Sequence, residues 1–222
     1  MLVIGAGEVG TAIAEVLDCP VVDVHDRKVA DPAVLHICFP WSDRFVEHVS
    51  GYQAMYGPDV TVVHSTVPVG TCRRLGAVHS PVRGRHPHLA ESVRTFVKFF
   101  GGDRAAEAAK PFVAAGVDVR TVDDPETTEA GKLWELLMFG IAVAQQKEMY
   151  RWCVARGADP DVAYRLFTET YNDGYRKLGV GHVQRPVIEP MDGPIGGHCV
   201  VENAPLVAHP FADLLTDLNG AW

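Results

Sequence analysis

The chain has 222 residues, 47% of them hydrophobic, which is enough for one substantial core and a smaller second module. Its formal net charge of -8 argues against a general affinity for nucleic acids or anionic membranes, because neither surface attracts an acidic protein at long range. No stretch approaches the roughly 20 apolar residues that span a bilayer. We therefore expect a cytoplasmic protein whose partner is a small molecule, with no nucleic acid and no membrane partner.

The chain begins with a strand, a glycine turn and a helix. Residues 1–4 are apolar, residues 5–10 have the spacing GxGxxG, and residues 11–17 have apolar side chains at helical spacing. In such a turn the first glycine permits the bend, the second lets the backbone approach a pyrophosphate, and the third allows the helix to pack closely on the strand. The helix N-terminus offers its amides to the phosphates. The pattern predicts a Rossmann unit that binds a dinucleotide.

An acidic residue follows the second apolar run, at residues 21–24. Asp26 lies about 20 residues beyond the first glycine, where a carboxylate usually binds the ribose hydroxyls, so the sequence favours NAD. Asp23 is a competing acid inside the strand. Arg27 and Lys28 leave NADP as an alternative cofactor, since a cation beside the ribose can bind a 2′-phosphate.

Alternating strand and helix patterns continue at residues 34–39, 42–55 and 60–65. They predict an α/β fold with a doubly wound parallel sheet, in which ligands bind beyond the carboxyl ends of the strands. The loops after the strands should therefore border the cofactor. The residues expected to contact it are Gly5, Gly7, Glu8, Val9, Gly10, Asp26, Arg27, Phe39, Pro40, Ser65 and Thr66.

Several segments resemble those of the UDP-glucose and related nucleotide-sugar 6-dehydrogenases, and more distantly the 6-phosphogluconate and β-hydroxyacid dehydrogenases. STVPVGT at 65–71 is similar to a loop that follows a strand in that family. Ser80-Pro81 with FFGGD at 99–103 resembles the end of its first domain, and EAGKL at 129–133 the start of its long central helix. GPIGGHC at 193–199 resembles its catalytic cysteine segment, which is the most specific of these similarities.

The sequence also departs from the family pattern. The chain ends about where the family begins its third domain, so we expect a truncated form without the C-terminal domain that binds UDP. The acidic residue expected after Ser80-Pro81 is missing, Leu136 replaces an asparagine, and Asn203, beside Glu202, replaces an aspartate. The substrate of the family therefore does not transfer directly.

The resemblance implies a set of catalytic residues. Cys199 would trap an aldehyde as a thiohemiacetal, with His198 favouring the thiolate and Asn203 in the place of the aspartate. Lys132 would handle the proton or stabilise the alkoxide while hydride moves to nicotinamide. The basic segment that includes Arg83, Arg85 and His86 suits an anionic substrate. No metal is expected, because the spacing of the candidate histidines matches no known ligand pattern. These histidines are His86, His88, His182, His198 and His209.

We expect two domains: a nucleotide-binding domain at residues 1–124 and a helical domain at residues 125–222 that carries the GGHC turn. Lys132 begins a long amphipathic pattern that runs to about Arg156, and another helical pattern runs from Pro160 to about Lys177. The long helix has more apolar side chains than so short a module readily covers, which predicts a homodimer through it. These side chains are Trp134, Leu137, Met138, Ile141 and Val143.

Three functions are compatible with the sequence. The first is an NAD-dependent oxidoreductase that acts on an alcohol group of a sugar-like or anionic small molecule, with Cys199 and Lys132 at its active site. The second is a two-electron hydroxyacid dehydrogenase or reductase that uses Lys132 and in which Cys199 is structural. The third is a non-catalytic protein that binds a dinucleotide as a sensor or as a partner of another chain.

Overall fold

The computed structural model describes residues 1–23, 31–84, 86–196 and 199–222. The chain forms two compact units, Met1–Leu133 and Trp134–Trp222. The division falls inside the long helix Pro125–Val154, which starts directly after the boundary predicted at residue 124. Within the described ranges, no helix is both long and apolar enough to span a membrane.

The first unit is built on a seven-stranded sheet in the order β2-β1-β3-β4-β5-β6-β7. Its strands are β1 (Leu2–Ile4), β2 (Val21–Val22), β3 (Val34–Ile37), β4 (Val60–Val63), β5 (Val78–His79), β6 (Lys98–Gly101) and β7 (Val119–Val122). Its helices are α1 (Glu8–Leu17), α2 (Phe45–Tyr56), α3 (Thr71–Leu75), α4 (Leu89–Thr95) and α5 (Ala105–Ala114), followed by the start of α6 (Pro125–Val154). The predicted α/β fold with a doubly wound sheet is confirmed.

One pair of strands departs from the predicted parallel arrangement. β5 and β6 are antiparallel, with His79 opposite Gly101, whereas the other pairs are parallel. The connection between β5 and β6 includes the seven-residue helix α4 and returns the chain in the opposite direction. The sheet is therefore mostly parallel.

Four neighbouring strands end at one edge of the sheet. The register aligns Ile4 with Ile37, Ile37 with Val63 and Val63 with His79. The strand order reverses at β1, which has β2 on one side and β3 on the other. Ligands of such sheets bind at the carboxyl edge where the order reverses, so the loops after β1, β3, β4 and β5 are placed where a cofactor would bind.

Helices cover both faces of this sheet. On one face Val3 and Val62 pack with Ile13 of α1 and Phe112 of α5. On the other face the neighbouring strand residues pack with α2, as Ile4 does with Phe45. Successive side chains of a strand point to opposite faces, so β1 is a continuous apolar run because both of its faces are buried.

The second unit is mostly helical. Its described residues form the rest of α6, a π-helical segment, two further α-helices and two short 3₁₀ segments. Their bounds are Asp161–Leu166 for the π-helical segment, Phe167–Lys177 for α7, Pro210–Gly220 for α8, and Gly181–Val183 and Ala204–Val207 for the 3₁₀ segments. α6 and α8 pack closely at Gly140, where an added Cβ would lie 2.6 Å from the Leu215 side chain.

The long helix begins earlier than predicted. It starts at Pro125 rather than at Lys132, because the Asp124 carboxylate accepts the Thr127 backbone N–H at 2.7 Å and the Thr127 hydroxyl at 3.0 Å. An aspartate followed by a proline is a favourable helix start. The pattern that predicted a start at Lys132 was apolar periodicity, which does not detect a polar first turn.

The five apolar side chains predicted to form a dimer surface differ in their exposure, and Ile141 is half-buried. Leu137 and Val143 are fully buried in the core of the second unit. Trp134 and Met138 are exposed, at 43% and 68%. Only part of the predicted apolar surface is therefore available to another molecule.

A chain of buried polar groups crosses the sheet of the first unit. His64 donates from Nδ1 to the Ser80 carbonyl at 2.7 Å, which leaves its Nε2 to accept a hydrogen bond from Nδ1–H of His36 at 3.0 Å. The Lys98 ammonium donates to the same Ser80 carbonyl at 3.1 Å and to Pro81 at 3.3 Å. The sequence analysis did not identify these residues, because a single histidine or lysine within an apolar run has no sequence signature.

Burial changes the pKa of each of these side chains. It lowers the pKa of Lys98 to about 7, and the positive charge of Lys132 adds to this effect. It also lowers the pKa of His36 to about 3, mainly through desolvation. The core therefore disfavours the charged form of each group.

We predict that Lys98 makes the stability of the protein depend on pH above neutrality. Between about pH 7 and about pH 10 the unfolded chain keeps Lys98 protonated while the folded chain loses that proton, so the free energy of unfolding rises with pH, by at most about 1.4 kcal/mol per unit. Lys98→Met should remove this slope. Denaturant unfolding at several pH values measures it.

The matched control is Lys110→Met, since Lys110 is an exposed lysine on α5. This variant should keep the slope of the unsubstituted protein. Equal slopes in the Lys98→Met and unsubstituted proteins would show that Lys98 keeps an ordinary pKa in the folded state.

Candidate functional site

The glycine turn between β1 and α1 requires glycine at two positions for packing. Gly5 has a φ of 103°, and an added Cβ there would lie 3.0 Å from the backbone of Cys38 and Phe39. A Cβ on Gly10 would lie 1.8 Å from the carbonyl oxygen of Gly5. Helix α1 therefore approaches Gly5 too closely for a side chain at Gly10, and the positive φ and the backbone after β3 favour glycine at Gly5.

Gly7 differs from these two glycines. An added Cβ at Gly7 would meet nothing within 4 Å, so the space beside it is open. Gly7 is the N-cap residue of α1, and in the described part of the chain no side-chain hydrogen bond caps this position. The amides of the first turn have no partner inside the helix and face a position where an anion can bind. The turn thus fits a dinucleotide pyrophosphate.

The surroundings of the turn include an acidic side chain. Glu8 is exposed and pairs with His86, and Val9 is half-buried on α1. A cavity of about 440 Å³ lies beside the turn, between the start of α1 and residues Pro87 to Ala90. The structure therefore brings Glu8 and Val9, predicted cofactor contacts, and His86, a predicted substrate contact, to the region of the glycine turn.

The loops after β3 and β4 meet at the same edge. The Ser65 hydroxyl donates to the Phe39 carbonyl at 2.6 Å, which links the two loops. The Phe39 ring packs on α2, with its centroid 5.0 Å from that of Phe45, while Pro40 is exposed and Thr66 is half-buried. Phe39, Pro40, Ser65 and Thr66 are therefore at the carboxyl edge, as the sequence analysis expected.

A buried carboxylate fixes the next part of the β4 loop. Glu129 of α6 is fully buried and accepts the backbone N–H groups of Gly70 at 2.6 Å and Cys72 at 2.7 Å. Burial raises the pKa of Glu129, and the two backbone donors oppose that rise. His79 is the last residue of β5, and its Nδ1 is hydrogen-bonded to the Thr128 hydroxyl at 2.9 Å. The start of α6 is thus tied to the carboxyl edge of the sheet.

This attachment fixes the place of Lys132, one turn further along α6. Lys132 is half-buried, and its ammonium donates to the Val82 carbonyl at 2.9 Å. Arg83 follows directly, and its guanidinium lies over the Phe96 ring at 5.7 Å. The structure therefore places the predicted proton-handling lysine beside the segment predicted to bind the substrate.

The predicted nucleophile lies in the second unit. Cys199 is exposed, and Asn203 donates from Nδ2 to the Cys199 carbonyl at 2.8 Å. An aspartate at position 203 has no N–H group to make this bond, so the asparagine supports the backbone of the cysteine turn. Leu136, where the resemblance led us to expect an asparagine, packs against the apolar core of this unit.

Some predicted site residues lie outside the described residues. They are Asp26 and Arg27 of the expected ribose site, Arg85 of the basic segment, and His198 beside the cysteine. The sequence analysis missed Glu129 as a structural clamp and Lys147, which is buried in the second unit. The sequence analysis used Glu129 only as part of the EAGKL segment. No feature of the sequence indicates the backbone N–H groups that this carboxylate binds.

Comparisons with known proteins support the fold. No known protein family matches the sequence, and no curated protein is similar to it. Among solved structures, a UDP-D-ManNAc dehydrogenase from Pyrococcus horikoshii is similar with a TM-score of 0.76 and 18% identity, over 99% of this chain and 68% of that chain. A UDP-glucose dehydrogenase from Pyrobaculum islandicum gives 0.71 and 16%, over 99% and 67%.

A smaller dehydrogenase is similar as well. The 3-hydroxyisobutyrate dehydrogenase of Mycobacterium tuberculosis has a TM-score of 0.71 and 14% identity, over 99% of this chain and 92% of that chain. At such identities the likeness establishes the shared fold. The expected resemblance to nucleotide-sugar and hydroxyacid dehydrogenases is confirmed at that level.

We predict that Gly10→Ala destabilises the protein by about 1–3 kcal/mol, because the new methyl group would collide with the Gly5 carbonyl and α1 would have to move. Gly51→Ala is the control. Gly51 is an exposed glycine in α2 with nothing within 4 Å of an added Cβ, so alanine there should stabilise by about 1 kcal/mol. Thermal unfolding distinguishes the two, and an equal effect of both substitutions would contradict the close approach.

Proposed function

We propose that this protein is an NAD(P)-dependent oxidoreductase that acts on an alcohol group of a sugar-like or anionic small molecule. The observation that carries the proposal is the glycine turn, where Gly5 and Gly10 are required for packing and Gly7 borders open space. Glycine at a position that packing leaves free is what close approach of a pyrophosphate requires. The fold shared with solved dehydrogenases supports the same function.

NAD is the cofactor that we propose. Asp26 follows the second strand at the sequence distance from which a carboxylate binds the ribose hydroxyls, and it would repel the 2′-phosphate of NADP. Arg27 and Lys28 are the residues that would instead accept that phosphate. The comparison of the two cofactors in the experiment below decides between them.

The bound nicotinamide would supply the hydride acceptor for oxidation of the alcohol carbon. The alcohol must also lose the proton of its hydroxyl group, and we assign that proton to Lys132. In its neutral form the amine accepts the proton, and the resulting ammonium stabilises the remaining alkoxide character. The bond to the Val82 carbonyl holds the amine beside the basic segment while this occurs.

An anionic substrate fits the charge of the segment after β5. Arg83 is half-buried and rests on the Phe96 ring, which limits its freedom and prepares its N–H groups for a carboxylate or phosphate. The whole chain carries a net charge of -8, so an anion is attracted only where cations are concentrated locally. Arg83 and Arg85 provide that concentration.

Cys199 would extend the reaction to four electrons. Its thiol would add to the aldehyde carbon to give a thiohemiacetal, oxidation of that adduct would give a thioester, and water would hydrolyse the thioester to release the acid and the thiol. A second nicotinamide would supply the hydride acceptor for this oxidation. The exposed position of Cys199 supports this role, since the sulfur is open to a reactant.

A second candidate is a two-electron hydroxyacid dehydrogenase that uses Lys132 and in which Cys199 is structural. The structural similarity to a 3-hydroxyisobutyrate dehydrogenase supports this alternative. Under either candidate we propose a cytoplasmic homodimer, supported by the exposed Trp134 and Met138 of α6.

Calorimetric titration with NAD and NADP tests cofactor binding. We expect the unsubstituted protein to bind NAD more tightly than NADP, and Gly7→Ala to bind at least about tenfold more weakly because its methyl group occupies the pyrophosphate position. The thermal stability of Gly7→Ala should be unchanged, since nothing lies within 4 Å of the new Cβ.

Gly131→Ala is the matched control for Gly7→Ala, because its added Cβ also meets nothing within 4 Å and the residue is exposed on α6. It should bind NAD as the unsubstituted protein does. If neither cofactor binds, the oxidoreductase proposal fails, and equal affinity of Gly7→Ala and the unsubstituted protein would remove the glycine turn from the binding site.

Product analysis separates the two candidates once an alcohol substrate is found. We predict that Cys199→Ala releases aldehyde and forms no acid, because no thiohemiacetal can hold the intermediate for the second oxidation. Lys132→Met should lower kcat by about 10²-fold or more through loss of the proton acceptor. Unchanged products in Cys199→Ala would favour the two-electron enzyme, and unchanged kcat in Lys132→Met would contradict its assigned role.

A further inference from the structure

The segment that leads to Cys199 is held by side chains from two helices. We call residues 191–196 together with 199 the cysteine loop. The Lys147 ammonium of α6 donates to the carbonyls of Met191 and Gly193, both at 2.6 Å. Asn219 of α8 accepts the Ile195 N–H at 2.6 Å. The described part of the loop has no helix or strand, so these bonds determine its path.

Lys147 is a charged residue that binds the cysteine loop from a buried position. It is only 8% exposed, and besides the two carbonyls it contacts the Trp222 ring, 4.9 Å from its ammonium. Removing an ammonium group from water is costly unless strong acceptors replace the water. Packing alone would be satisfied by methionine, so the charge is explained by what it binds.

The backbone of the loop is shaped to meet this ammonium. Gly193 has a φ of 66°, in the left-handed region that favours glycine, and this turn allows the carbonyls of residues 191 and 193 to point to one donor. Beyond it, Ile195 is buried in the apolar core of the second unit. The loop is thus fixed at two points before it reaches the cysteine.

We propose that Lys147 is a positioning residue that holds the cysteine loop and thereby sets the reactivity of Cys199. The inference rests on the proposed function of Cys199 as a nucleophile. Lys147 itself contacts the backbone of the loop and acts on the thiol only through it. Loss of the ammonium releases two carbonyls, and the loop then samples conformations in which the thiol is no longer held for attack.

The test compares Lys147→Ala, Lys147→Met and Lys147→Arg by amide hydrogen exchange across the cysteine loop and by alkylation of Cys199 with iodoacetamide over a range of pH. In the Ala and Met variants we expect the Ile195 amide to exchange about tenfold faster, corresponding to roughly one lost hydrogen bond, and the rate of Cys199 alkylation to move toward that of an unconstrained thiol. Arginine, which keeps the donors, should restore both properties.

A chemical rescue adds a second readout. Residue 147 lines an open cavity of about 320 Å³, bordered by Tyr150 and Trp222, through which a small molecule can reach the place of the lost ammonium. Methylammonium should therefore slow loop exchange in Lys147→Ala but not in Lys147→Met, whose side chain fills the space. Tetramethylammonium, which has no N–H group, is the negative control.

Two outcomes overturn the proposal. One is an unchanged loop and unchanged Cys199 alkylation in Lys147→Ala and Lys147→Met. The other is an equal rise in reactivity of Cys199 and the buried Cys153, without rescue by arginine or methylammonium, which would indicate general destabilisation. Neither measurement uses a cofactor or turnover, so a protein with the expected loop behaviour but no oxidoreductase activity would refute the proposed function and leave the role of Lys147 standing.

Discussion

The close approach of helix α1 to the end of strand β1 is the constraint on which the candidate cofactor site depends. The gap at Gly10 is so narrow that a methyl group would reach the Gly5 carbonyl. This contact brings the N-terminus of α1 to the carboxyl edge of the sheet, at the point where the strand order reverses. The position of the first-turn amides and the open space at Gly7 follow from the same packing, so the fold and the candidate cofactor site have one origin.

Polar side chains extend this edge toward the helix that carries Lys132. The Glu129 carboxylate is removed from water and accepts hydrogen bonds from two backbone N–H groups. Its burial raises its pKa. Burying a carboxylate costs little free energy when hydrogen-bond donors replace water, and it destabilises the protein when those donors are lost. The pair of bonds fixes the helical register of α6, and the register decides that Lys132 faces the Val82 carbonyl.

The sequence predicts the parts of the fold that depend on local spacing. The glycine turn, the apolar runs of β1, β3 and β4, and the loops at Phe39 and Ser65 lie where periodicity and turn chemistry place them. It does not predict the antiparallel β5–β6 pair or the buried status of Leu137 and Val143, since both depend on tertiary partners. The sequence does not predict the buried hydrogen bonds of His36 and Lys98 for the same reason, because a single polar residue in a strand does not identify its partner across the sheet.

Three lysines in this protein share one kind of partner. Lys98 donates to the carbonyls of Ser80 and Pro81, Lys132 to that of Val82, and Lys147 to those of Met191 and Gly193. The first two bind consecutive carbonyls of the segment that precedes Arg83, and the third binds the loop that precedes Cys199.

Backbone carbonyls accept hydrogen bonds from an amino group without adding a negative charge. A carboxylate partner would add one at the place where the proposed anionic reactant binds. In the first unit, Lys98 and Lys132 therefore hold the segment before Arg83 through acceptors that carry no negative charge, which suits a negatively charged substrate in an acidic protein.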